Sequence, residues 1–366
     1  MEDNLNRNPK TALRAGSAMK VVAVAALAAG LMLGANTASA ETNILETGST
    51  LLYPLFNLWV PDYAKSHPDV KITTQGTGSG TGISEAISGV AQIGASDAYM
   101  SDAQMKKSPG MLNIPLAISS QMINYNVPGF NDKHLKLSGP VLAGIYDGKI
   151  KYWDDAAIAK LNPGEKLPHD VIVPVHRTDG SGDTFIFTQY LSFSTPSWEK
   201  STGYGTTVSW PAVQGGIGAE GNPGMVNASK TTPYSIAYIG ISFKNATDQS
   251  KLGEAMLENK AGKFVLPDAK TVGAAVKATA AKTPKDERIS LIFAPGSESY
   301  PIINYEYAIV NTKQPSADVA KAVKAFLDWD MGASEGNAPH FMKAVGFVPL
   351  PSAIATLSKD QVAKVE

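Results

Sequence analysis

Leu52, Leu55, Phe56, Trp59 and Tyr63 recur at i, i+3, i+4, i+7 and i+11, one apolar face of a helix. Pro54 suits the first turn of that helix, and Ser49 and Thr50 precede it as natural caps. Val319, Val323, Phe326 and Leu327 make a second apolar face and predict a helix over 318–329. An Ala- and Lys-rich segment predicts another over 268–281, and shorter ones are expected over 142–150 and 154–161. Between them lie β-prone runs at 44–48, 71–75, 90–98, 171–175 and 236–240. Two longer β-prone runs, 119–127 and 300–310, echo each other, since both contain Ile-Asn-Tyr (123–125 and 303–305). A matched pair of this kind fits two crossovers between two lobes; chance similarity of short β segments is the alternative. The Gly- and Pro-rich segment 209–224 predicts a loop.

The chain has 366 residues, enough for two domains. With 43% hydrophobic and 18% charged residues it reads as globular. Lys plus Arg number 32 against 33 Asp plus Glu, so nothing suggests a nucleic-acid partner. There is no cysteine, which excludes disulfides, thiolate metal sites and a Cys nucleophile. The five histidines are scattered without metal-ligand spacing, so neither metal nor cofactor is expected.

Residues 1–40 have the form of a secretory signal peptide. Arg7, Lys10, Arg14 and Lys20 make a basic start, Val21 to Leu33 is apolar, and Ala38-Ser39-Ala40 is a cleavage site. Without this segment 28 basic residues face 31 acidic ones, a net charge near −3. A lipid anchor needs a cysteine at the cleavage point. The expectation is therefore a free periplasmic protein that starts at Glu41.

The chemistry concentrates in loops that run from a strand into a helix. Val171 to Val175 leads through Arg177, Asp179 and Gly180-Ser181-Gly182 into an amphipathic run with Phe187, Tyr190 and Leu191. The first N–H groups of a helix have no intrahelical partner, and the helix dipole favours an anion there. Ser181 adds a hydroxyl and Arg177 a planar fork of donors. The same residues fit a plainer account, in which Ser181 only caps and Arg177 forms an exposed pair with Asp179. A second such loop is Gly76-Thr-Gly-Ser-Gly-Thr-Gly82, which offers Ser79. It matches neither the dinucleotide fingerprint nor the P-loop, which disfavours a nucleotide and leaves a small anion. Asp97 ends a third strand. A carboxylate there repels a fully ionised anion and suits one that still carries a proton; capping the turn toward Ser101 is the alternative.

Taken together, Gly48-Ser-Thr-Leu51, Gln75-Gly-Thr-Gly-Ser-Gly80, Gly94-Ala-Ser-Asp-Ala98 and Asp179-Gly-Ser-Gly182 resemble, in order and spacing, the substrate-binding protein of the phosphate ABC transporter. Tyr152-Trp-Asp-Asp155, Leu161-Asn-Pro-Gly164 and Ala325-Phe-Leu-Asp-Trp329 are also similar, and the details are closest to the mycobacterial-type branch. The resemblance implies an α/β, two-lobed periplasmic-binding-protein-like fold of type II, with mixed sheets flanked by helices and two hinge strands. It implies one lobe from 41–121 plus 300–366 and a second from 122–299. It implies a monomer that binds inorganic phosphate in the cleft and delivers it to membrane permease subunits. The phosphate contacts it implies are Thr50, Leu51, Ser79, Asp97, Arg177, Ser181, Gly182 and Asp183, with Ser49 and Asp179 in support. The family's commoner residue at position 183 is Thr, so here a hydroxyl donor becomes an acid. Two rival readings are a secreted phosphatase or serine hydrolase using Ser181, and a binder of another tetrahedral oxyanion such as sulfate. Against the first, G-x-S-x-G is missing and His176 lies close in sequence to Ser181. Against the second stand the acids Asp97 and Asp183.

Overall fold

The structure is a computed structural model and describes residues 41–366; the expected signal peptide lies outside them. The strands are β1 (Thr42–Gly48), β2 (Val70–Gly76), β3 (Ile93–Ser96), β4 (Met111–Asn126), β5 (Lys136–Leu137), β6 (Val173–Arg177), β7 (Ile217–Ala219), β8 (Ser235–Gly240), β9 (Gly253–Glu254), β10 (Met256–Glu258), β11 (Phe264–Val265) and β12 (Ile303–Asn311); the expected β-prone runs account for β1, β2, β3, β4, β6, β8 and β12, and the short β5, β7, β9, β10 and β11 lie outside them. One sheet has the order β2-β1-β3-β12-β4-β8-β6-β7, with β9 also on β4; β11, β10 and β5 form a small second sheet. β1 is parallel to β2 and β3, and β6 is parallel to β7 and β8. β12 is antiparallel to β3 and β4, and β4 is antiparallel to β8. This is the mixed α/β architecture expected from the sequence.

The two predicted apolar helix faces meet each other. Helix Tyr53–Tyr63 buries Leu55, Phe56, Trp59 and Tyr63, and helix Ala317–Asp330 buries Val323, Phe326 and Leu327. Phe326 lies 6.1 Å from the Phe56 ring and 5.0 Å, edge-on, from Tyr63. Each large side chain withdrawn from water in this way contributes about 1.5–3 kcal/mol. The Trp59 indole N–H donates to the Gly336 carbonyl at 2.7 Å, so its polar edge is satisfied in the core. Helix Ala269–Thr279 starts at a capping box made by Asp268 and Thr271.

Two expectations need correction. Segment 209–224 is not all loop: it contains β7 and the start of helix Gly221–Thr231. Gly221 turns there at φ +62°, and Pro223 fits the first turn, so residues that usually break structure here begin a helix. The run at 119–127 is the second half of a strand that starts at Met111. Pro115 interrupts the pattern because it has no N–H, and the β4–β12 register slips beside it. β4 is buried along nearly its whole length. Its first part pairs with β12 as far as Ser120, and from Gln121 onward it pairs with β8.

Candidate anion-binding site

β1, β2, β6 and β7 each run, through a short loop, into a helix: Tyr53–Tyr63, Ser79–Ser88, Gly182–Ser194 and Gly221–Thr231. β3 ends at Asp97. Contacts among the loops bring these strand ends together. In open α/β sheets the ligand crevice lies beyond the carboxyl ends of the strands. Four helix starts gathered at these strand ends give a favourable potential for an anion.

The sharp exit from β1 needs Gly48, which sits at φ +142° against the Ala95 carbonyl. The Gly48 carbonyl then accepts the N–H groups of Thr77 (2.9 Å) and Gly78 (2.7 Å), which pins the second loop to the first. Ser49 Oγ accepts the N–H groups of Leu51 (3.1 Å) and Leu52 (3.0 Å) and donates its proton to Asp97 Oδ1. Ser79 Oγ accepts the Asp97 N–H at 3.1 Å and lies 3.4 Å from Asp97 Oδ2. Gly182 presses against the same two groups, and a Cβ there would overlap Asp97 Oδ2 and Ser79 Oγ.

Arg177 is the cation of the site, and it is buried. Its Nε donates to Asp179 Oδ1 at 2.7 Å, Nη2 donates to Asp179 Oδ2, and Nη1 donates to Asp183 Oδ2 at 2.9 Å. The exposed-pair account of Arg177 and Asp179 is therefore wrong: their side chains are only 1% and 11% exposed. Asp179 Oδ1 also accepts the Gly221 N–H at 3.1 Å. Ser181 does cap its helix, accepting the Thr184 N–H at 3.1 Å. Asp97 does not cap the turn toward Ser101; Ser101 itself caps the next helix with Gln104.

Asp183 is buried at the helix start. Its Oδ1 accepts from Gln121 Nε2 at 3.0 Å, and its Oδ2 accepts from Asn222 Nδ2 at 2.6 Å as well as from Arg177. Asn222 also donates to Thr50 Oγ1 through Nδ2 (3.0 Å) and its backbone N–H (3.2 Å). The ten residues singled out from the sequence thus gather in two hydrogen-bonded groups, Ser49, Leu51, Ser79 and Asp97 in one and Thr50, Arg177, Asp179 and Asp183 in the other, with Ser181 and Gly182 at the helix start beside both. Sequence reasoning missed Asn222, Gln121, Asn304 and Glu306. Asn222 was hidden in a Gly/Pro-rich stretch. The other three are polar residues inside long apolar strands, and that misfit is a signal the sequence does contain.

Burial pushes the Asp97 carboxyl up to about 7, and the Asp183 charge adds to the rise; hydrogen bonds from Glu306 and Ser49 and the charge of Arg177 oppose it. Burial also raises Asp183, against the pull of Arg177, Gln121 and Asn222. Asp179 is buried too, yet its bonds to Arg177 hold it below the usual carboxylate range. Burial works against the charge on Arg177, but Asp179 and Asp183 outweigh it and hold the guanidinium above its ordinary range. Among the described residues no group of three His, Cys, Asp or Glu is placed to hold a metal ion.

Residues 34–333 match the family model of the PBP superfamily domain. The phosphate-binding protein PstS of Methanocaldococcus jannaschii is 41% identical over 337 residues, covering 87% of this chain and 85% of its own. The phosphate-binding protein PstS of Pasteurella multocida is 36% identical over 318 residues, covering 87% of this chain and 89% of its own. Among solved structures, a high-affinity periplasmic phosphate-binding protein, PfluDING, bound with phosphate at pH 8.5, superposes with a TM-score of 0.70 at 21% identity, over 87% of this chain and 93% of its own. That last likeness is one of fold.

Proposed function

The chain belongs to the PstS phosphate-binding protein family, and from that premise we propose that it binds inorganic phosphate at the strand ends and passes it to an ABC-type membrane permease. It is a binding protein and not an enzyme. One observation carries the choice of anion: Asp97, a buried carboxylate, stands among four helix starts and a buried arginine. Near neutral pH phosphate keeps a proton and can donate it to Asp97. Sulfate keeps none and meets Asp97 as an unpaired charge. Thr50, Leu51, Ser79, Arg177, Ser181, Gly182 and Asp183 supply the remaining contacts in this reading, and Ser49 and Asp179 hold Asp97 and Arg177 in place. Titration calorimetry with phosphate and with sulfate tests it. Tight phosphate binding with sulfate rejected is expected; equal affinities would sink it.

The hydrolase reading finds no machinery. Ser181 Oγ serves as a cap, and the His176 ring stacks on Trp210 at 5.1 Å with Nδ1 on the Arg177 carbonyl.

Two lobes, 41–121 plus 300–366 and 122–299, fit the exchange of partners along β4 at Ser120 and Gln121. Closure of the two about β4 and the return near 300 would seal the anion, as hinge motion does in binding proteins of this build.

We also propose a monomer, exported and cleaved after Ala40, that works free in the periplasm. No helix among the described residues is long and apolar enough to cross a membrane. N-terminal sequencing of the exported protein should begin at or near Glu41; a lipid-modified or uncleaved start would count against this.

Asp183 sets the pH response. Two acids then face one small anion, so binding is accompanied by proton uptake, either on the ligand or on Asp183. Binding linked to proton uptake weakens as pH rises, by at most about tenfold per pH unit for each proton. Asp183→Thr removes one of the acids, so its phosphate affinity should fall less steeply than the parent's between about pH 6 and 9. Parallel curves would show that Asp183 only braces Arg177.

A further inference from the structure

Glu306 lies directly behind the site. β12 runs antiparallel to β3 with Tyr307 opposite Ser96, which sets the preceding residue, Glu306, against the following one, Asp97. The β4–β12 register slips between Glu306 and Tyr307, beside Pro115. Bulges of this kind re-aim a side chain, and they gather near functional sites. Asn304, on the same face of β12, ties the two acids together. Its Nδ2 donates to the Asp97 carbonyl at 3.2 Å and to Glu306 Oε1 at 3.1 Å. The Ser119 hydroxyl, from β4, donates to the same Oε1. Glu306 is fully buried, and Oε2 receives no donor. The Tyr307–Ser96 pairing and the shared Asn304 amide set its carboxyl beside Asp97. Among the described residues no cation pairs with Glu306; Asp183 and Arg177, from the Gly182 helix and β6, act on Asp97.

Two touching carboxyls in a dry site do not both stay ionised. The oxygen without a donor is the natural place for a proton, because a carboxylic O–H needs an acceptor and Asp97 provides one. Burial and the Asp97 charge both push Glu306 well above the ordinary range, while its hydrogen bond pulls Asp97 down.

We propose that Glu306 is a positioning residue for anion selectivity: it stays protonated, donates to Asp97, and keeps Asp97 the ionised acceptor that only a proton-bearing anion can satisfy. This rests on Asp97 being the phosphate's acceptor. Without the Glu306 donor, burial and Asp183 would protonate Asp97 at neutral pH. Asp97 would then donate a hydrogen bond and welcome sulfate.

The test compares phosphate and sulfate affinities, by calorimetry near neutral pH, for the parent, Glu306→Leu and Glu306→Gln. Glu306→Leu should lose about tenfold or more of the phosphate-over-sulfate preference, the effect of one unit of pKa shift in Asp97. Glu306→Gln keeps an amide donor toward Asp97 and an acceptor for Ser119 and Asn304, so it should recover most of that preference. The parent minus Glu306→Gln infrared difference spectrum should contain the carbonyl stretch of a protonated carboxylic acid. A Glu306→Leu protein as selective as the parent, or the absence of that band, overturns the proposal. If Glu306→Leu does not fold, the infrared band decides. A parent that binds no phosphate would refute the phosphate reading itself and would leave the band to report on Glu306.

Discussion

Arg177→Ala will destabilise the folded protein by about 3–5 kcal/mol, the cost of stranding a buried charge partner. Arg177 is buried, and so is Asp183, which it neutralises. Asp179 loses both of its strongest donors in the same step. An exposed pair would cost only about 0–1 kcal/mol, so urea unfolding separates the two pictures. The sign of the pH dependence follows. Without Arg177, the strongest pull against burial disappears and the Asp183 carboxyl rises further in the folded state. A carboxyl whose folded pKa lies above its unfolded value penalises folding where the unfolded chain is ionised, so the variant's deficit should grow as pH rises and shrink as pH falls. Phosphate affinity should collapse in parallel. A loss of stability below about 1 kcal/mol would mean that the network around Arg177 carries little energy.

Asp97→Thr will abolish the distinction between phosphate and sulfate. In the parent, sulfate must either leave the Asp97 charge buried and unpaired or bind with Asp97 protonated; burial already holds that carboxyl up at about 7, so the second route costs about tenfold in affinity for each pH unit above that value. Threonine offers a hydroxyl that can donate to either anion. It also frees Ser49, whose hydroxyl now bonds Asp97 Oδ1. Competition of sulfate against bound phosphate measures the change directly. A variant that still excludes sulfate would move the selectivity to Asp183, the other acid at the site.

The parts of the site built from local pattern were open to reading in the sequence. A β run, then glycine and serine, then a helical face specifies a strand, a turn and a helix start, and the candidates lie in such loops or at the strand and helix ends that flank them. Gly182 and Ser181 fall where that logic puts them. The parts built from distant partners were not open to it. Asn222 reaches Thr50 across 172 positions, and Gln121 reaches Asp183 across 62. Nothing in the neighbourhood of either residue announces its partner. Arg177 and Asp179 were visible as a pair, but their burial depends on the Gly221 helix, whose first turn looks like a loop in one dimension. The helices over 268–281 and 318–329 were legible because apolar periodicity is a local property; the bulge beside Glu306 was not, because it takes two strands to make one.

The place where the two central loops touch has no side chains. The Gly80 N–H donates to the Gly180 carbonyl at 2.8 Å, and a Cβ on Gly80 would stand 3.0 Å from the Gly180 Cα. In the two-lobed reading these loops come from opposite lobes, so this peptide hydrogen bond is one link across the cleft, beside those from Asn222 to Thr50 and from Ser242 to the Leu51 carbonyl. Closing it freezes no rotamers, which keeps the latch entropically light and quick to form. Breaking it exposes two backbone groups that water can solvate at once, so it is equally light to open. A membrane partner that pushes these two glycine loops apart would control discharge without touching a single group that recognises the cargo.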